Sequence, residues 1–125
     1  MHYIEESTKS VQEVVDTIQE IVSNYSFGVL HIHNVKNTLN SKGIDFEKEC
    51  QILDVCNPKV AKEFLGQDMS LSVIMPCKIS VYTDNGTTNI AMNSLTQLVD
   101  DINPDFIELA QETQETLLQI INEAK

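Results

Sequence analysis

Behind Ser10, the apolar residues Val11, Val14, Val15, Ile18, Ile21, Val22 and Tyr25 recur at helical spacing, so they share one side of a 3.6-residue spiral. Ser10 and Glu13 have the spacing of a capping box, and together these signals predict a helix from about Thr8 to Asn24. Residues 2–6, ahead of it, read as a short first strand. Ser26-Phe27-Gly28 is a break. Gly28 to His33 follows as a strand, with Leu30 and Ile32 on one face and Val29, His31 and His33 on the other. Asn34 is placed to cap a short helix from Val35 to Lys42, which Gly43 ends with a left-handed stop.

Glu49 to Val55 reads as the third strand. Asn57-Pro58 then starts a helix, because Asn caps free amides and Pro at the first helical position has no N–H to leave unpaired. Val60, Ala61, Phe64 and Leu65 form its inner face, and Gly66 ends it. Leu71 to Met75 is apolar and reads as extended. Pro76 interrupts the run as a strand edge or bulge does. Cys77, Ile79 and Val81 then alternate with Lys78, Ser80 and Tyr82, which predicts a half-buried strand. Asp84-Asn85-Gly86 is a hairpin turn, and Thr87 to Met92 returns beside it with Thr88, Ile90 and Met92 on one face. A short helix from Asn93 or Ser94 to Val99, a second Asn-Pro start at Asn103-Pro104, and a long amphipathic helix through Ala124 complete the chain.

Three strand-to-helix crossovers followed by a hairpin predict an α+β fold: a two-layer sandwich with a mixed β-sheet and helices mainly on one face. The 125 residues make one domain, 1–125, with no linker or repeat. The sheet's other face then carries His31, Ser80, Tyr82 and Ala91, neither a polar nor an apolar surface. That composition suits a homodimer formed through the sheet or its edge.

Charge narrows the partners. Nineteen acidic residues against eight basic ones give a net charge of −11. Nucleic acid and anionic membrane surfaces both require clustered Lys and Arg, so neither is expected. Mutual repulsion keeps such a domain soluble. The start of the chain has no basic segment followed by an apolar one, and no stretch approaches a membrane span. Three cysteines without an export signal are expected as reduced thiols, and the expected location is cytoplasmic.

Two segments are more specific than the rest: Ile52-Leu53-Asp54-Val55-Cys56-Asn57-Pro58-Lys59-Val60-Ala61 and Val73-Ile74-Met75-Pro76-Cys77-Lys78-Ile79-Ser80-Val81-Tyr82. Together they resemble the family catalogued as domain of unknown function 302, whose pattern has Cys-Asn-Pro at a strand-to-helix corner and Leu-Pro-Cys leading a strand. Phe27-Gly28-Val29-Leu30, and Asn34-Val35-Lys36 with Leu39, resemble its second strand and short helix. Met75 stands where that family has Leu, and His31 and His33 stand where relatives often carry other residues. The resemblance implies a two-layer α+β fold and often a homodimer; it implies no activity.

Cys56 stands at a strand end just before a helix start, where amide dipoles favour a thiolate and lower a thiol's pKa. If the strands beginning near Glu49 and Leu71 run parallel, Cys56 and Cys77 reach similar heights and line one pocket with Asn57 and Pro58. The pair would serve redox exchange or a soft metal; the competing reading is two small buried hydrophobes. No Cys-x-x-Cys occurs, and Cys50 reads as packing. His31 and His33 share a strand face at a spacing two ligands of one zinc ion bridge. His2 would be a third ligand if the first two strands are adjacent. Asp54 lies among apolar residues; turned inward it needs a partner such as Lys78, and otherwise it faces the open side.

The four glycines are unclustered, so there is no phosphate loop, and no nucleophile-elbow, zincin or calcium-loop pattern occurs. Three functions remain open. The first is a homodimeric binding module for a small ligand or metal near the Cys56–Asn57 corner and Cys77. The others are a thiol-dependent redox protein or enzyme using Cys56 and Cys77, and a structural or regulatory protein-interaction domain. A pocket holding both sulfurs favours the first two. No cofactor is implied, and whether the chain is an enzyme stays open.

Overall fold

The computed structural model describes residues 2–125. Five strands, β1 (His2–Ser7), β2 (Gly28–Asn34), β3 (Cys50–Cys56), β4 (Cys77–Asp84) and β5 (Thr87–Asn93), lie in the order β1-β5-β4-β3-β2. The helices are α1 (Val11–Ile21), α2 (Val35–Ser41), α3 (Pro58–Gln67), α4 (Leu95–Ile102) and α5 (Ile107–Ala124). This is the expected α+β sandwich.

Every neighbouring pair in the sheet is antiparallel, which corrects the expectation of a mixed sheet. A parallel crossover must return the chain to the far end of the sheet. Here two connections have an outward and a return leg, so they start and finish at the same end. After β2, α2 goes out and residues 42–49 come back. After β3, α3 goes out and a 3₁₀ helix, Met69–Ile74, comes back. That 3₁₀ helix occupies the Leu71–Met75 stretch expected to be extended. Only α1 makes a single crossing, and it carries the chain from β1 at one edge to β2 at the other.

Local signals act as their chemistry dictates. Ser10 Oγ accepts from Glu13 N at 3.1 Å while Ser10 N donates to Glu13 Oε1 at 3.2 Å, closing the capping box. Asn85 and Gly86 both hold positive φ (51° and 78°), the geometry of a two-residue hairpin turn. The pleat of β2 differs from a plain alternation. A bulge between Val29 and His31 pairs Val29 with Val55 and Ile32 with Leu53, so Val29 and Ile32 both pack on the core. The extra residue, Leu30, is left 64% exposed.

The core has two parts. In the larger, Val14, Val15 and Ile18 of α1 and Leu117, Ile120 and Ile121 of α5 cover Leu53, Val55, Ile79, Val81 and Ile90 of the sheet. In the smaller, Phe64, Leu71, Leu95, Val99 and Ala110 pack at one end of the sheet. Cys77 touches both clusters. The sheet's other face carries the cross-strand row Ile4, Ala91, Ser80, Ile52 and His33.

Candidate functional site

The antiparallel pairing brings the end of β3 and the start of β4 together, with Val55 opposite Cys77. Cys56 and Cys77 therefore are neighbours, though through antiparallel rather than parallel strands. The start of β2 and the end of β5 lie at this same end, by the register of their partners. Over it sit α3, the 3₁₀ helix, α4 and the first turns of α5, and between them lies a cavity of about 270 Å³.

Cys56, Asn57 and Cys77 line this cavity, together with the inner face of α3 (Val60, Ala61, Phe64). Pro58, the remaining sequence candidate, is not among the lining residues; it is the first residue of α3. The cavity wall also takes in Leu30, Leu95, Val99 and Thr113, from elements far apart in sequence. Leu30 lines it while remaining largely exposed, so the cavity reaches the surface at the β2 bulge. None of the sixteen described residues lining it carries a charge. A larger hollow of about 510 Å³ lies at Glu6–Lys9 and Gly86–Thr88, but its walls are mostly polar and it suits an apolar ligand poorly. An apolar pocket with a few polar groups is where a small ligand binds.

The thiols differ from the sequence expectation. Burial pushes Cys56 up, and burial together with the Cys56 charge pushes Cys77 up to about 11. The helix amides that were to feed the sulfur are spent on the cap: Asn57 Oδ1 accepts from Lys59 N at 3.2 Å and Val60 N at 3.4 Å. At pH 7 a thiol of pKa about 11 is thiolate in roughly one molecule in ten thousand, so neither sulfur is poised as a nucleophile. Alkylation of Cys77 in the folded protein is expected to accelerate up to pH 10 and beyond. A rate that levels off near pH 7 would contradict this environment.

Cys50 lies on β3 outside the cavity, and its thiol is also raised by burial, with a Ser80 hydrogen bond opposing.

His31 and His33 do come together, with ring centroids 4.4 Å apart. His2 does not join them, because β1 and β2 are opposite edges of the sheet. The Asp54 carboxylate only accepts hydrogen bonds, so His33 donates from Nε2 to Asp54 Oδ2 at 2.8 Å, and Lys78 Nζ donates to Asp54 Oδ1 at 2.6 Å. Among the described residues no cluster of three or more His, Cys, Asp or Glu is arranged to hold a metal ion.

Asp54 therefore lies on the open face and also has the Lys78 partner it needs. His33 and Lys78 leave it only 9% exposed. The Lys78 hydrogen bond, aided by His33, holds its carboxyl below the ordinary 3.8 despite opposing burial. A lowered carboxyl adds stability that is present above pH 3.8 and lost as pH falls through the folded-state value. Lys78→Met removes one of the carboxylate's two side-chain hydrogen bonds and leaves His33, and because the Lys78 side chain is more than half exposed the expected cost is about 1.5 kcal/mol at pH 7, the low end for a hydrogen bond to a charged group. Asp54→Asn leaves only the more exposed Lys78 and His33 unpaired, and is expected to cost about 1 kcal/mol. Urea unfolding at pH 7 and pH 3 checks this: the Lys78→Met deficit shrinks at pH 3, and an unchanged deficit would contradict the pairing.

Comparison with known proteins agrees with this architecture. The family model described as "Domain of unknown function DUF302" matches residues 3–124. No curated protein matches the chain. A solved structure, described as "Crystal structure of uncharacterized conserved protein DUF302 from Bacillus stearothermophilus", superposes with a TM-score of 0.94 at 33% sequence identity. The match covers 99% of this chain and 98% of that one. With the Cys-Asn-Pro corner and the Pro-Cys strand start at one end of a five-stranded antiparallel sheet, the chain belongs to the DUF302 family.

Proposed function

We propose that the chain is a homodimeric binding module whose cavity at the Cys56–Cys77 end takes a small, neutral, apolar ligand. The observation that carries this reading is the uncharged cavity of about 270 Å³ with both Cys56 and Cys77 in its wall. Size sets the ligand's scale. A cavity of about 150 Å³ takes benzene. By proportion, 270 Å³ takes a molecule of about eleven non-hydrogen atoms. The protonated thiols favour an organic ligand over a soft metal, which binds thiolates, and over covalent or redox chemistry, which also begins from a thiolate.

The dimer is supported by the open face of the sheet, where Ile4 is 48% exposed and shares a row with Ala91 and Ile52. Three free cysteines suit a reducing compartment such as the cytoplasm. Among the described residues no helix is long and apolar enough to cross a membrane.

Two measurements test the reading. Sedimentation equilibrium should give the mass of two 14.1 kDa chains; a single-chain mass overturns the dimer. Calorimetry with tetralin, a neutral bicyclic hydrocarbon of the right size, should show a Tm that climbs with ligand concentration. A Tm that stays flat up to the solubility of tetralin overturns the binding site.

A further inference from the structure

Beside the cavity lies a second hollow, of about 240 Å³. Five residues, Ile74, Met75, Pro76, Cys77 and Leu95, belong to the walls of both. The two hollows therefore flank one ridge, the end of the 3₁₀ helix and its turn into β4. Ile74, Met75, Pro76 and Cys77 are each only partly buried, so the ridge borders open space. A compact molecule fills one flank of such a ridge; a chain can lie along both.

The two walls differ in chemistry. The first is apolar and uncharged. The second mixes Val73 and Leu98 with Lys78 and Asn93. Lys78 is the one charged residue among the described residues of that wall, and its charge is already answered: Nζ donates to Asp54 Oδ1 at 2.6 Å. The ion pair leaves no net positive charge to draw an anion, and a chain of net charge −11 repels one. An uncharged polar group suits this half. Size agrees. A drug-sized ligand occupies about 300–1,000 Å³. Neither hollow reaches that range alone, and the two together do, with room for about twenty non-hydrogen atoms on the proportion set by benzene.

Resting on the reading of the cavity as a ligand site, we infer that the two hollows are halves of one site and that its ligand is a neutral single-chain amphiphile, with an alkyl tail in the first hollow and an uncharged polar head in the second.

The test titrates the wild-type protein with monomeric 1-O-octylglycerol and follows the methyl groups by NMR. Val60 and Leu65 line only the first hollow, and Val73 and Leu98 only the second. Both pairs should shift with one shared Kd, because one molecule reaches both. Tetralin should move only Val60 and Leu65. The hexyl ether should bind about fifteenfold more weakly than the octyl, since each methylene withdrawn from water is worth about fourfold. Nonanoate has the same tail, but its charged head must shed water beside a lysine that is already paired, so it should bind about tenfold more weakly or worse. Octylglycerol shifts confined to one pair, or two pairs that saturate at different concentrations, overturn the joined site while leaving the tetralin cavity standing. A hexyl ether that binds as tightly as the octyl overturns the buried tail, and nonanoate binding as tightly overturns the neutral head. Failure of both tetralin and octylglycerol to bind sinks the binding-site reading itself.

Discussion

Phe64→Ala is expected to lower the unfolding free energy by about 3–5 kcal/mol, the cost of deleting a buried phenyl ring. Phe64 is 2% exposed, and it anchors the smaller core cluster with Leu71, Leu95, Val99 and Ala110. Its ring also lies 5.8 Å from that of Phe106, a tilted contact the alanine removes. Because the ring is part of the cavity wall, the space it vacates opens into space that is already hollow. Neighbours are then less able to collapse into it, which places the cost toward the upper end of the range. In a domain whose total stability is about 5–15 kcal/mol, this takes a large share. Urea denaturation monitored by circular dichroism measures it. A loss under about 1 kcal/mol would show that the second cluster is not packed as described. The same variant should accept bulkier ligands than the wild type, since its cavity is larger.

The second large effect runs the other way. Ala61→Phe is expected to weaken tetralin binding at least tenfold while leaving the Tm within a few degrees. Ala61 lines the cavity on the same helix face as Phe64, one turn earlier. The added ring is the size of the benzene that fills a cavity of about 150 Å³, so it takes up roughly half of the 270 Å³ here. Filling a void recovers contacts, and any residual crowding offsets them at about 1–3 kcal/mol. Calorimetric titration of the variant reads the affinity. Unchanged affinity would mean that the ligand sits elsewhere.

Much of the fold was legible because its signals are local. The Ser10–Glu13 capping box, the Asn85-Gly86 turn and the alternation of Cys77, Ile79 and Val81 each depend on residues a few positions apart. What failed to show was set by long-range geometry. The Leu71–Met75 run looked extended because it is apolar, but a buried 3₁₀ turn needs apolar residues too, and Leu71 is fully buried in one. Read as a strand, the run supplies no return leg from α3, and without that leg β3 and β4 come out parallel. The bulge at Leu30 leaves no mark in the sequence either, and it moved Val29 from the open face to the core.

The site was half legible. Cys56, Asn57 and Cys77 were singled out and do share one wall. The walls contributed by α4, α5 and Leu30 were missed, because a cavity is a property of packing between distant segments. Cys56 is raised rather than lowered because the cap takes the amides its sulfur would need. Asparagine at the cap is itself a signal, visible in the sequence, that the helix amides are already taken.

Methyl-resolved NMR during a tetralin titration asks directly whether the cavity is a ligand site. Saturable shifts are expected on the Val55, Val60, Leu65, Leu95 and Val99 methyls, with Ile4 and Ile52 on the opposite sheet face unmoved. Shifts that fall on Ile4 and Ile52 instead, or none up to the solubility limit, would contradict it.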